Sequence, residues 1–108
     1  MPTIQLDGER INSWEAFHAE CQREFGFPDY YSHTMDAWVD CLSYLRDEEG
    51  MTRFLLDADE TLRIEILHAD ILKQKTPEIL EELAFCVEAI NERYEDYGEK
   101  PALNLVLL

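Results

Sequence analysis

Leu103-Asn104-Leu105-Val106-Leu107-Leu108 is an almost unbroken apolar run, and its reading decides the fold. A continuous apolar strand is expected where helices cover both faces of a parallel sheet. Working back along the chain, Leu62-Arg63-Ile64-Glu65-Ile66 alternates at the two-residue period of a half-buried strand. Thr3-Ile4-Gln5-Leu6 reads as a third, short strand, ended by the turn-forming Asp7-Gly8. Helical patterns separate these runs. The order strand, helices, strand, helix, strand predicts a small α/β layer with right-handed crossovers. Pattern alone leaves the strand order open.

Ser13 is placed to cap a first helix, with Trp14, Phe17, Cys21 and Phe25 on its apolar face and Gly26 as a left-handed stop. Pro28 prevents that helix from continuing. Thr34 is the N-cap expected for a second helix running to about Arg46, and Asp47 to Gly50 form a polar break. Thr52 to Leu56 is a further extended run, so residues 52–67 are expected to hold an extra strand or a hairpin. A short helical turn is expected within His68 to Lys75. Thr76-Pro77-Glu78 then starts a long helix with a capping hydroxyl, proline at the first position and an acid at the positive dipole end. Ile79, Leu80, Leu83, Val87, Ile90 and Tyr94 mark its buried stripe, and its outer face is rich in glutamate. Three main helices flank the sheet in this reading, and the chain has no internal repeats.

A length of 108 residues suits one domain, 1–108, with a single hydrophobic core. Hydrophobic residues make up 46%, enough to oppose disorder despite the charge. Nine basic against 24 acidic side chains give a net charge of -15. Such a field repels nucleic acid and anionic membranes and attracts a basic partner. Acidity can serve solubility alone, but here the acids are also locally organised. No apolar run is long enough to cross a bilayer, and Met1-Pro2-Thr3-Ile4 lacks a basic-then-apolar signal. A cytoplasmic protein, monomeric when free, is expected. Cys21, Cys41 and Cys86 are odd in number and far apart, unlike a disulfide framework, and the three histidines show no metal-ligand spacing with them. No metal or cofactor is expected.

The local organisation lies in Pro28-Asp29-Tyr30-Tyr31-Ser32-His33-Thr34-Met35-Asp36-Ala37-Trp38-Val39-Asp40-Cys41-Leu42. Asp36 and Asp40 stand four residues apart and project from one face of the second helix. Met35, Trp38, Val39, Leu42 and Leu45 recur at helical spacing on the other. Catalysis finds little support. A His33–Asp36 couple would suit a general base, yet no nucleophile accompanies it. There is no P-loop, GxGxxG or GxSxG, and the four glycines are scattered singly. These absences point to a binding protein, not an enzyme.

The ordered set Pro28-Asp29-Tyr30-Tyr31, then Asp36, then Asp40-Cys41-Leu42 resembles the barstar family, small acidic proteins that inhibit secreted bacterial ribonucleases from inside the producing cell. The resemblance implies a three-stranded parallel sheet with the first strand central. It also implies that the loop and second helix plug a ribonuclease active site, their carboxylates standing where RNA phosphates would lie. A ribonuclease must present cations to a phosphodiester transition state, and fixed aspartates match them without being cleavable. By this resemblance Asp40 is the central acid, Asp36 the acid one turn earlier at the rim, and Tyr30 the loop tyrosine that packs on the active-site histidine. Ser32, Thr34, Met35, Val39 and Ser43 complete the loop–helix contact set. Glu92 is the matching glutamate of the last helix, with Glu88 and Glu95 as alternatives.

The chain departs from the family in several places. Ser32 replaces a loop glycine, Thr34 an asparagine and His33 a glutamate. Val39 stands where the family has tryptophan, and Trp38 is shifted back by one onto the buried face. Residues 51–61 and the stretch around Tyr97 to Lys100 are extra. The function implied is stoichiometric inhibition of a basic ribonuclease or related toxin nuclease. An acidic adaptor that mimics nucleic acid on a basic, non-nuclease protein is the alternative from another class.

Overall fold

In the computed structural model, which describes residues 2–108, the chain runs β1 (Thr3–Asp7), α1 (Trp14–Phe25), α2 (Met35–Leu42), β2 (Leu62–Leu67), α3 (Ala69–Lys75), α4 (Pro77–Asp96) and β3 (Leu103–Leu107). The three strands form one parallel sheet in the order β1-β2-β3. The α/β class and the parallel sheet are as expected. The strand order is not: β2 is central and the first strand lies at an edge. Strand order is fixed by pairing between distant segments, which no local period encodes. The alternating β2 is the strand with ladders on both sides, and its Leu62, Ile64 and Ile66 are completely buried.

Nor do helices cover both faces. Register aligns Ile4 with Ile64 and Leu105, and Leu6 with Ile66 and Leu107, and this face carries the core. The opposite face aligns Gln5 with Glu65 and Val106, and Thr3 with Arg63 and Asn104. There Gln5 Nε2 donates to Glu65 Oε1 at 2.9 Å and Arg63 Nε to Glu65 Oε2 at 2.7 Å, while Thr3, Gln5 and Asn104 are exposed. The apolar run of β3 therefore belongs to an edge strand whose end, Leu107 and Leu108, stays in contact with solvent. Gly8 closes β1 against β2: its N–H reaches Leu67 O at 2.7 Å. A Cβ there would lie 2.6 Å from Leu67 O and His68 O, so a side chain would force the strand ends apart.

The helix caps are largely as read. Ser13 Oγ accepts from Ala16 N, Thr34 Oγ1 accepts from Ala37 N, and Gly26 takes the left-handed φ of 73°. Thr76 differs. Its hydroxyl donates back to Ile11 O and Leu72 O and makes no cap, leaving Pro77 to open α4. Trp14 is partly exposed, and its place in the core side of α1 is taken by His18 and Glu20. The short helical turn expected within His68 to Lys75 is the two-turn helix α3, which joins the three longer helices as a fourth.

The second helix ends at Leu42, short of Arg46. Ser43 Oγ donates to Val39 O at 2.7 Å, and the Ser43 amide turns to Asp40 O. The hydroxyl has taken the carbonyl that the next helical amide would use. Thr52 to Leu56 is no strand, and 52–67 holds β2 alone. Thr52 Oγ1 accepts from Phe54 N, a local turn that competes with extended pairing. The segment is tied down elsewhere, through Arg53 N to Phe25 O, Arg53 Nε to Glu24 O and Leu56 N to Leu45 O.

One contiguous core joins the inner sheet face to Phe17, Cys21 and Phe25 of α1, Trp38 and Leu42 of α2, and Leu83, Val87 and Ile90 of α4. Trp38 is fully buried, as its shifted position predicts. Among the described residues its indole N–H has no stronger acceptor than the sulfur of Cys21 beside it.

Candidate functional site

The loop between α1 and α2 is held from beneath. Once Pro28 has ended α1, Phe27 turns inward and stacks on Phe25 with ring centroids 5.1 Å apart. Tyr31 follows it into the core, and its hydroxyl meets His18 Nδ1 at 2.6 Å. Gln22 clamps both ends of the loop: Nε2 donates to Pro28 O, and Oε1 lies 3.0 Å from His33 Nε2. His33 takes the left-handed φ of 58°, uncommon for a side chain with a Cβ. Burial, with His33 nearby, pushes the His18 imidazole down to about 4. It is therefore neutral at pH 7, a packing and hydrogen-bonding group.

Because Tyr31 is inward, its neighbour Tyr30 points out and is 78% exposed. Ser32 Oγ and Thr34 Oγ1 lie 3.1 Å apart at the helix start. From there α2 presents Asp36 and Asp40 to solvent while Trp38, Cys41 and Leu42 go inward. Among the described residues neither aspartate side chain has an ion pair or a hydrogen bond. The helix is anchored at its far end by Tyr94 of α4, whose hydroxyl accepts from Leu45 N at 3.0 Å and donates to Leu42 O at 3.3 Å. Thr34 at one end and Tyr94 at the other thus hold the backbone of the helix that carries both aspartates.

Ser32, Thr34, Met35, Asp36, Val39 and Asp40 together form one wall of a groove. Asp40 also borders a second hollow with Tyr30, Tyr44 and the acidic run Asp47 to Glu49. It thus stands on the ridge between the two, with Tyr30 on one side and Asp36 on the other. Ser43 lies beyond, half-buried, bonded to Val39 O and accepting from Arg93 Nη1 at 3.3 Å. Glu92 is set apart: with Glu88 and Glu95 it lines the hollow between α4 and β3.

The opposite wall of the α2 groove consists of Glu82, Phe85, Cys86, Ala89 and Arg93 of α4, residues that sequence reading did not assign to the site. A signal for one of them existed. Phe85 lies off the apolar stripe Leu83-Val87-Ile90-Tyr94, and an aromatic outside the stripe of an otherwise acidic helix asks for a reason.

Chemically the surface presents charge without an activated nucleophile. Burial, with the adjacent Asp40 charge, pushes the Cys41 thiol up to about 11, and burial with Glu82 does the same to Cys86. Both are protonated and unreactive at neutral pH. Away from the groove, Asp7, Glu9 and His68 bring one donor atom each within 4.8 Å of one another. They already engage local partners, Glu9 with His68 and Asp7 with the Glu9 amide and Arg10. Among the described residues no helix is long and apolar enough to cross a membrane.

The family model described as Barstar (barnase inhibitor) matches residues 1–106. No curated protein matches the chain.

Proposed function

The chain belongs to the barstar family, and from that premise we propose that it is a stoichiometric inhibitor of a basic ribonuclease or related toxin nuclease, acting in the cytoplasm and monomeric when free. The observation that carries this is the pair Asp36 and Asp40, exposed on a doubly anchored helix with no internal partner. Asp40 enters the nuclease's phosphate-binding pocket and pairs with its cations. Asp36 meets a basic residue at the rim, and Tyr30 packs on the active-site imidazole. Ser32, Thr34, Met35 and Val39 supply the close contact around them, Ser43 its edge, and Glu92 extends the acidic surface along α4. The net charge of -15 steers the encounter, and desolvated ion pairs slow release. An RNA-like polyanion is presented with no scissile bond in it.

Calorimetric titration against barnase tests the reading. A one-to-one complex, with parallel loss of RNA cleavage, is expected; no binding at micromolar concentrations defeats it. The reading as an adaptor for a basic, non-nuclease protein draws on the separate acidic flank of Glu88, Glu92 and Glu95 beside β3. It requires that neutralising those three weakens binding more than Asp40→Ala does.

A further inference from the structure

We propose that the open edge of β3, with the glutamate flank of α4 beside it, takes an extended lysine- or arginine-bearing segment of a partner protein as a fourth strand of the sheet. Strand addition of this kind draws affinity from main-chain hydrogen bonds and selectivity from alternate side chains. The surface lies away from the α2 ridge and shares only Glu92 with the nuclease contact proposed above.

The ladder between β2 and β3 fixes which backbone groups are free. Leu62 N donates to Ala102 O and Leu108 N to Ile66 O. The even-numbered residues of β3 therefore face β2, and Leu103, Leu105 and Leu107 turn their amides and carbonyls outward. At Leu103 the edge is closed. Asn91 Oδ1 accepts from its amide and Asn91 Nδ2 donates to its carbonyl, both at 2.9 Å, so one side chain does there what a neighbouring strand would do. Leu105 and Leu107 have no such outward partner among the described residues. Edge strands are commonly blunted by lysine, proline or a bulge. Leu103–Leu107 has none of these, and its register with β2 is unbroken. At the opposite edge of the sheet, the Asp7 amide is already taken by Glu20.

The flank beside the edge defines the occupant. Glu88, Glu92 and Glu95 line the hollow between α4 and β3. All three are exposed, and among the described residues their carboxylates have no ion pair or hydrogen bond. Leu103 and Leu105 align with Leu62 and Ile64 on the core face. A strand added outside them directs every second side chain to that same face, at α4 and its glutamates. Lysine or arginine at those positions pairs with the carboxylates and lays its hydrocarbon stem along Ala84 and Leu105. An acidic segment is repelled. A second copy of this chain, paired antiparallel, would set its own glutamate flank against this one.

The probe is a short acetylated and amidated peptide in which lysine alternates with threonine. Titrated into the full chain, it is expected to bind one-to-one and to shift the amide resonances of Leu105 and Leu107. Glu88→Gln combined with Glu95→Gln should weaken binding about fivefold or more. Leu107→Pro removes an outward donor and leaves the bonds of its neighbours to β2 in place, so it should weaken binding about fivefold. The same peptide N-methylated at alternate residues keeps its charge but cannot pair, and should bind at least about tenfold more weakly. A methylated peptide as tight as the unmodified one overturns the proposal, because the chain's overall field alone would then be attracting it. No binding of the unmodified peptide at millimolar concentration overturns it too, as does parent affinity in both variants. Sedimentation velocity of the chain alone addresses the remaining occupant: a dimer that Leu107→Pro abolishes overturns the proposal in favour of self-pairing. Barnase affinity should be the same for Leu107→Pro and the parent, so failure at this edge and failure of the inhibitor reading are read from separate titrations. Unchanged circular dichroism shows that each variant is folded.

Discussion

The carboxylates of this protein fall into two populations. On the α1 and sheet side they are engaged. Glu20, only 6% exposed, accepts from the Asp7 amide at 3.0 Å and pairs with Arg23. Glu65 is bridged to Gln5 and Arg63, which together hold its carboxyl below the usual range. Asp7 takes the Glu9 amide and faces Arg10, and Arg46 pairs with Glu99. On α2, Asp36 and Asp40 have no such partner. Four arginines thus neutralise acids elsewhere, and none of these pairs falls on α2. A carboxylate that already satisfies an amide or guanidinium is part of the fold. One without either, as on α2, keeps its charge open to solvent.

Substitution should separate them. Asp40→Ala is expected to weaken barnase binding by more than about 2 kcal/mol, with the thermal midpoint nearly unchanged; the inhibitor–nuclease pair that gives the family its name is itself a reference case for such hot spots. Equal affinity in a calorimetric titration would remove the distinction. Glu20→Ala should behave in the opposite way, lowering unfolding free energy by about 1–3 kcal/mol, because the half-buried Asp7 amide loses its acceptor, while affinity holds. Urea denaturation and the same titration read both halves.

A milder test uses salt. If unpaired aspartates and the field behind them steer association, the association rate should fall about tenfold or more between low and high ionic strength. A flat stopped-flow profile would leave the charge as a solubility device. Acid addresses the support beneath the loop. The depressed His18 pKa means that the unfolded chain binds a proton between about pH 6.5 and 4 and the folded chain does not. Its contribution is intact above that window and is lost as pH falls through it. Parent and His18→Gln should therefore differ in their urea midpoints by an amount that shrinks with acidity over that range. A constant difference would mean that the imidazole does not titrate differently on folding. The smallest effect expected is none at all: Cys41 and Cys86, raised to about 11, should resist iodoacetamide at pH 8 until the chain is unfolded. Rapid native labelling detected by mass spectrometry would show that the α2–α4 contact opens.

Much of this was legible in the chain. Caps at Ser13 and Thr34, the stop at Gly26, proline at the start of α4 and the inward turn of Trp38 are local or periodic features, and the polypeptide obeys them. The misreadings are those in which a competing side-chain hydrogen bond or a distant partner overrode a local preference. Ser43 ended α2 early by returning its hydroxyl to Val39. Thr76 turned its hydroxyl towards Ile11, far away in sequence, and made no cap. The apolar run of β3 suggested a strand covered on both sides, yet it lies at an edge. Of the wall that Glu82 and Phe85 add to the site, the chain showed only a stray aromatic, because its place depends on how α4 is rotated against α2.

The sequence by itself determined which segments become helices and strands, and which residues of the second helix point away from the core, because backbone periodicity and side-chain polarity act over a few residues. The order of the strands, the pairing that leaves Asp36 and Asp40 without counterions and the closing of a groove by a second helix were decided only in the folded state. Each is a choice among contacts between residues far apart in the chain, and that choice depends on which of them can be satisfied together.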